Sequence, residues 1–338
     1  MRQEEKTIRP GHPPTIGIIM PLDHYVSQVH LKNFYSLASD SHMHAIRKSD
    51  LTRFRCNAQS VCRIEDGSTN AYLREDRSIE KFLVDVEPKY NASVAKLRNG
   101  EIDQEYIYAV AGFAAYVACC SPAAMRIHTG PLESILESTA TILDRQGLFD
   151  KAPAALGGKS LPELLADRTV RFEVDRKYPQ AIGIDNIIKQ VSIWGNSTWE
   201  ILLNNDPSSP FFTSDFPMAI EATSDPRVLG RIVPLAPDLA VRIIPNIEMS
   251  QAEPDLSFTK FSHSRQILKG YEIRQINRLL VQCAEDIIFH CDDHNWIEGF
   301  IAKNRHYRIE PVTIHIPQAR GILQWFTQRI VSRKAGGA

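Results

Sequence analysis

The chain has 338 residues and a nearly balanced charge, with 39 Lys and Arg residues against 40 Asp and Glu residues. Hydrophobic residues make up 43% and charged residues 23% of the chain, which excludes collagen-like, mucin-like and wholly disordered proteins. The net charge of -1 excludes nucleic-acid binding through bulk charge alone, although a local basic groove stays compatible with it.

From the residues at the two ends of the sequence we expect neither a targeting segment nor a membrane segment. Residues 1–14 are polar and contain Pro and Gly, so we expect a flexible arm there, and residues 333–338 form a short tail. The first apolar stretch, residues 15–22, includes a proline and is far shorter than the roughly 20 residues of a membrane span. The six cysteines are scattered without a C-x-x-C pair, which favours reduced thiols. We therefore expect a cytoplasmic protein without membrane association.

The first predicted element is a short helix over residues 23–34, with Asp23 as its N-cap. Helical spacing would place His24, Gln28 and Lys32 on one face, because residues four apart lie above one another. This face is the first candidate for a functional surface.

A longer helical pattern begins at Ser78, where apolar residues recur at intervals of three and four. Glu80 and Glu87 share a second face of this helix, and Pro88 is expected to kink or divide it. The remaining elements predicted before residue 195 are strand-like pieces at 51–56 and 60–64 and helices at 103–127, 131–146, 161–175 and 180–194.

The pattern changes after residue 195, where short apolar runs alternate with turn residues. Strands are predicted at 199–203, 210–220, 231–235, 239–244 and 305–317, and helices at 264–289 and 318–332. These elements predict an α+β fold that is predominantly helical, with a small and mostly antiparallel sheet in the C-terminal half. We expect one large domain over residues 15–332, with a helical part at about 78–194 and a sheet-containing part at about 195–317.

Several of these pieces, in order, resemble the domain-of-unknown-function 4238 family. Residues 23–34, DHYVSQVHLKNF, are similar to the family's HYVPQ-x-YLKNF signature, and residues 210–217, PFFTSDFP, are similar to its FITSDNPV segment. Other matching positions are Glu80 and Glu87 of a paired "IE … IE" helix, Ser121 and Pro122 with Arg126 of an R-[ST]-P-x-x-x-R helix end, and Asn277. The resemblance covers about residues 20–290.

The chain departs from this family pattern at three positions. Ser27 stands where the family usually has Pro, Cys120 stands where the first Arg of the helix motif would be, and Phe216 replaces the usual Asn. The resemblance therefore implies a divergent member of a bacterial family that has no settled activity. An active site that needs an arginine at position 120 would be incomplete here.

The residue types at the matching positions predict a hydrolase that acts on a phosphodiester. A His or Glu would act as general base, while Lys and Arg would stabilise charge that develops on phosphate. The carboxylates could alternatively bind a divalent metal ion through oxygen ligands. The predicted catalytic residues are His24, Lys32, Glu80, Glu87 and Asp215, and the predicted substrate-binding residues are Gln28, Arg126, Ser214 and Asn277.

This hypothesis makes the chain a nuclease or phosphodiesterase that acts on nucleic acid or another phosphate-containing substrate, in a bacterial toxin or phage-defence setting. The alternative is a non-catalytic binding or interaction module in which the same polar residues form a structural network. The two differ in geometry, because an enzyme needs His24, a carboxylate and a cation around one open pocket.

Two weaker metal-site candidates stand apart from this set. The first comprises Cys283, His290, Cys291 and His294, whose ligand types suit zinc but whose spacing matches no finger or ribbon, so a buried core cysteine is the competing interpretation. The second is the H-x-H pair His42 and His44, in a stretch that is expected to be a solvated loop. Phosphate-loop, dinucleotide-binding, zinc-protease and esterase signatures do not occur in the sequence.

Overall fold

The computed structural model describes residues 21–39, 41–250, 253–318 and 321–333. The predicted arm at 1–14 and nearly all of the predicted tail lie outside these residues. The helices are α1 (Gln28–Lys32), α2 (Ser78–Asn99), α3 (Gln104–Cys120), α4 (Pro122–Arg145), α5 (Leu161–Ala166), α6 (Lys177–Asp185), α7 (Ile187–Gly195), α8 (Gly270–Cys283) and α9 (Ile297–Asn304). The strands are β1 (Leu22–His24), β2 (Met43–Arg47), β3 (Arg53–Cys56), β4 (Arg63–Glu65), β5 (Thr198–Leu203), β6 (Thr213–Ser214), β7 (Ala219–Ala222), β8 (Leu229–Ala236), β9 (Leu239–Ile244), β10 (Ser262–Ile267), β11 (Ile287–His290), β12 (Tyr307–Gln318) and β13 (Gly321–Ser332).

The described strands form four sheets. The largest has the order β10-β5-β9-β8-β7 and is antiparallel except where β10 runs parallel to β5. A second sheet has the order β3-β2-β11-β6, and the pairs β1-β4 and β12-β13 form two-stranded antiparallel ribbons. The protein is thus a mixed α/β structure, with about 40% of its residues in helices and 23% in strands.

The prediction of a sheet confined to the C-terminal half was wrong, and a predominantly helical fold is not confirmed. Strands β1 to β4 all precede residue 66, and β2 pairs with β11 from the far end of the chain. Single strands this short are stabilised only by neighbours and by burial of one face, so their own sequence marks them weakly.

The helix predicted over residues 23–34 is shorter than expected. Residues 22–24 pair with β4, with His24 opposite Arg63, and α1 begins at Gln28 after Ser27. The expectation that Asp23 caps this helix was therefore wrong. Its carboxylate instead accepts the backbone N–H of Ser68 at 3.0 Å.

The helix predicted over residues 103–127 is two helices, because α3 ends at Cys120 and α4 begins at Pro122, with Ser121 as its N-cap. The Ser121 hydroxyl accepts the backbone N–H of Ala124 at 3.1 Å, and Pro122 occupies the first helical position, where its missing N–H is tolerated. The axes of α3 and α4 differ by 62°. Within the described residues no single helix has the length and apolar character to cross a membrane; these two pass that test together, across the bend.

The predictions of two helices near the C-terminus were wrong. Residues 264–289 divide into strand, helix and strand, namely part of β10, then α8, then β11. Residues 318–332 are not an amphipathic helix, because β13 pairs with β12 along twelve residues of antiparallel ladder. The backbone hydrogen bonds between β12 and β13 stabilise these strands, and the spacing of apolar residues in one segment does not indicate such pairing.

The main core lies where α2, α3 and α7 pack with the five-stranded sheet. A Cβ added to Gly112 of α3 would lie 2.8 Å from Cγ2 of Val86 on α2, so only glycine allows this close approach. Helix α2 continues through Pro88 without division. Both Pro88 and Val84 are exposed, so the carbonyl that Pro88 leaves without an N–H partner can bind water.

Candidate functional site

His24 lies at the end of β1, at a part-buried position beside the start of α1. Its Nε2 lies 3.0 Å from the carbonyl oxygen of Ala58, and its Nδ1 lies 3.4 Å from Nε2 of Gln28. Because a carbonyl can only accept a hydrogen bond, the ring proton belongs on Nε2 and Nδ1 is the acceptor. Burial lowers the pKa of His24 below its ordinary 6.5, so the ring is neutral near pH 7.

Glu87 of α2 lies close enough for its charge to act on the His24 ring. The Ser27 hydroxyl donates to Oε1 of Glu87 at 2.5 Å, which ties the helix to the segment that carries His24. The Tyr116 hydroxyl of α3 donates to the backbone carbonyl of His24. Helices α2 and α3 thus fix the backbone and one flank of the imidazole.

Glu80 lies about two helical turns before Glu87 and binds Arg77. The same guanidinium donates to Oδ1 of Asp23 at 2.9 Å. Burial raises the pKa of the Asp23 carboxyl, but the Arg77 and Ser68 hydrogen bonds outweigh it, and the pKa ends below its usual value. A chain of alternating charges therefore runs along the surface beside His24.

Two exposed cations border the same surface. Arg63 on β4 stands directly opposite His24 in the strand register, where side chains of paired residues lie on one face. Lys32 at the end of α1 lies four residues after Gln28 and shares its helix face. We call His24, Gln28, Lys32, Arg63, Arg77, Glu80 and Glu87 the His24 group.

His30, on the opposite side of α1, belongs to a buried network. Its Nδ1 and Nε2 lie 2.8 Å from the Tyr90 hydroxyl and from the Thr213 hydroxyl, and its ring stacks on Phe113. The ring has no exposed surface, and burial lowers its pKa to about 3. The uncharged His30 ring on α1 therefore connects this helix to α2 and to β6 through hydrogen bonds.

Ser214 and Asp215 lie on this buried side as well, away from solvent. Ser214 accepts the N–H of Phe216 at 3.2 Å, which shapes the turn. The Asp215 carboxylate accepts three backbone N–H groups at 2.7–2.9 Å from the segment that runs from the end of α8 to the first residue of β11. Burial raises the pKa of Asp215 to about 6, although these bonds and the charge of Lys48 oppose the rise.

Asn277 and Arg126 also bind other parts of the protein. The Asn277 side chain accepts the N–H of Phe212 at 3.0 Å and donates to the carbonyl of Pro210 at 2.8 Å. Arg126 donates both to Glu285 and to Glu310, at 2.8–3.1 Å. These contacts hold α8, α4 and β12 to neighbouring segments.

The structure divides the predicted site residues into two sets. It brings His24, Gln28, Glu80 and Glu87 to one surface, with Lys32 at its edge. It places the other four, Arg126, Ser214, Asp215 and Asn277, elsewhere in the fold, engaged with protein partners. Sequence reasoning missed Arg63 and Arg77, because their approach to the site follows from the β1-β4 pairing and from the Asp23 contact.

Among the described residues there is no group of three or more His, Cys, Asp or Glu side chains that could hold a metal ion. In the candidate zinc set, Cys283 is buried in α8, and Nδ1 of His290 lies 2.9 Å from the carbonyl of Asp292. His44 is not in a loop as expected but in β2, where its ring stacks on His290. All six cysteines are free and buried.

Comparison with known proteins places the chain in a family. Residues 23–294 match the family described as a protein of unknown function (DUF4238). This match covers most of the chain, and the chain belongs to that family, as the two sequence signatures predicted. No curated protein and no solved structure matches it.

Proposed function

We propose that the chain is a hydrolase that acts on a phosphodiester, with His24 as its general base. The oriented imidazole carries this proposal. The Ala58 carbonyl keeps the proton on Nε2, so the lone pair lies on Nδ1, and the long 3.4 Å contact with the Gln28 amide must open for a water molecule to reach it. A general base must be unprotonated near neutral pH, and burial favours that form by lowering the pKa of His24.

In the proposed reaction a water molecule attacks phosphorus while Nδ1 of His24 takes one of its protons. The bond from phosphorus to the leaving oxygen breaks, and the imidazolium then returns the proton to that oxygen. Glu87 stabilises the imidazolium through its charge. Arg63 and Lys32 bind the non-bridging oxygens, where negative charge accumulates.

A nucleic-acid backbone is the substrate class that this chemistry favours, because repeated phosphates suit a surface bordered by separate cations. Arg126, Ser214, Asp215 and Asn277 then have a structural role rather than the catalytic and substrate-binding roles expected from the sequence. The toxin or phage-defence setting stays a prediction.

The test is hydrolysis of bis(p-nitrophenyl) phosphate and of a single-stranded oligonucleotide, with and without Mg²⁺. His24→Gln should lower kcat/KM at least about 100-fold, which is the contribution expected of a general base. The matched control is His263→Gln, which changes an exposed histidine on β10 and should keep the wild-type rate. The wild-type rate should also fall as pH drops through the pKa of His24.

Unfolding in urea should give similar midpoints for all three proteins, which separates loss of catalysis from loss of folding. The proposal is wrong if the wild-type protein hydrolyses neither substrate, or if His24→Gln keeps the full rate.

A second candidate function is the non-catalytic binding module. The observation that favours it is that Arg126, Ser214, Asp215 and Asn277 all have protein partners, as expected of a structural network. Absence of hydrolysis by a folded wild-type protein in the same assay would favour this function over the hydrolase.

A further inference from the structure

A cavity of about 660 Å³ lies among α3, α4, α7, β8 and β13. Its wall is mainly apolar and includes the rings of Trp194, Phe216, Trp325 and Phe326. The volume falls within the range of small-molecule binding sites, which are also mostly apolar with a few polar groups. The lining residues do not include any member of the His24 group, so this is a separate place in the fold.

One cation in this wall stands out among its neighbours. Arg231 lies on β8 between Ile220 of β7 and Ile243 of β9, so the strand register gives it only apolar partners. Its Nη1 is shielded from solvent and has no hydrogen-bond partner among the described residues. A buried guanidinium nitrogen without a partner is unfavourable, and such groups are rare in folded proteins.

Arg231 also keeps its charge. Burial lowers the pKa of its guanidinium to about 10, which still leaves it protonated at pH 7. In the described part of the chain no carboxylate forms an ion pair with it. By contrast Arg227, which lines the same cavity, is bound to Asp225 at 2.7 Å. Among the described residues that line the cavity, Arg231 thus presents an unpaired positive charge within a mainly apolar wall.

We infer that this cavity binds a small amphipathic carboxylate, with its carboxylate on Arg231 and its apolar body against the aromatic wall. A carboxylate would give the guanidinium the charge-assisted hydrogen bonds that its own strand neighbours cannot provide. Phe216 lies where the family usually carries an Asn, so this chain has an apolar ring at that part of the wall. The inferred site is independent of the proposed hydrolase.

The test compares decanoate with decanol, which has the same apolar body and no charge, by isothermal titration calorimetry at pH 7. The wild-type protein should bind decanoate about 10- to 100-fold more tightly, as expected for a charge-assisted hydrogen bond in a shielded site. Arg231→Met keeps an unbranched apolar side chain but removes the guanidinium and its charge, so it should abolish this preference. Arg227→Met is the matched control and should keep it.

A second variant tests the apolar part of the site. Ala118→Trp places a large ring in the cavity and should weaken binding of both compounds, whereas His24→Gln should change neither. The inference is overturned if decanoate does not bind up to its solubility limit, or if decanoate and decanol bind equally. It is also overturned if Arg227→Met removes the preference as fully as Arg231→Met.

Discussion

Protonation of His30 tests the buried network that joins α1 to the rest of the fold. The ring has no exposed surface, and both nitrogens already contact hydroxyl groups, of Tyr90 and Thr213. Burial lowers the pKa of His30 to about 3, from 6.5 in an unfolded chain. Between these two values unfolding takes up a proton, so acid favours the unfolded state.

The stabilisation from a neutral His30 is complete above pH 6.5 and is lost as the pH falls towards 3. The loss amounts to about 1.4 kcal/mol per pH unit within that window. Between pH 7 and pH 5 this residue alone should therefore lower the free energy of unfolding by about 2 kcal/mol.

The assay is urea unfolding followed by tryptophan fluorescence at pH 7 and pH 5. Wild type, His30→Gln and the control His263→Gln are compared, so that other titrating groups contribute equally to all three. The fall in unfolding free energy should be about 2 kcal/mol smaller in His30→Gln, because glutamine takes up no proton. An equal fall in wild type and His30→Gln would refute the account of a buried neutral ring.

Two further predictions concern the remaining buried polar groups. Asn277→Ala should lower the free energy of unfolding, measured in urea, by about 2–4 kcal/mol. The reason is that the N–H of Phe212 and the carbonyl of Pro210 lose their buried hydrogen-bond partner. A change below about 0.5 kcal/mol, which is typical of a surface position, would contradict this. Asp215→Asn should lower the free energy of unfolding by about 1–3 kcal/mol at pH 7, since an amide has one acceptor oxygen for three backbone N–H groups. Burial raises the pKa of Asp215 from 3.8 to about 6, so between these values the folded wild type takes up a proton and gains stability, whereas asparagine does not titrate. The difference should therefore grow as the pH falls from 7 to about 4, and a difference that shrinks over this range would oppose this reasoning.

Local sequence was a good guide where an element carries its own signals. Ser78 was predicted to begin a helix, and α2 begins there. The strands predicted at 199–203, 231–235 and 239–244 correspond to β5, β8 and β9, whose apolar runs are buried in the large sheet. The spacing of apolar residues indicates which residues of an element are buried, and this holds whichever neighbouring element covers them.

Local sequence was a poor guide where the partner decides the structure. Residues 318–332 contain apolar residues at helical spacing, yet β13 is stabilised by its pairing with β12. The break at Ser121 does have a local signal, because the Ser–Pro pair places a capping hydroxyl and a proline at the start of α4. Pairing of distant strands cannot be derived from the spacing of residues within either strand.

The sequence by itself determined the family and the presence of both helices and strands, since these depend on order and chemistry along the chain. Only the tertiary structure decided which polar residues meet. It places Glu87 and Arg63 beside His24, and it buries Asp215 against backbone donors some seventy residues away. The physical reason is that a side chain's partner, its burial and hence its pKa are set by segments distant in sequence, which a one-dimensional pattern does not contain.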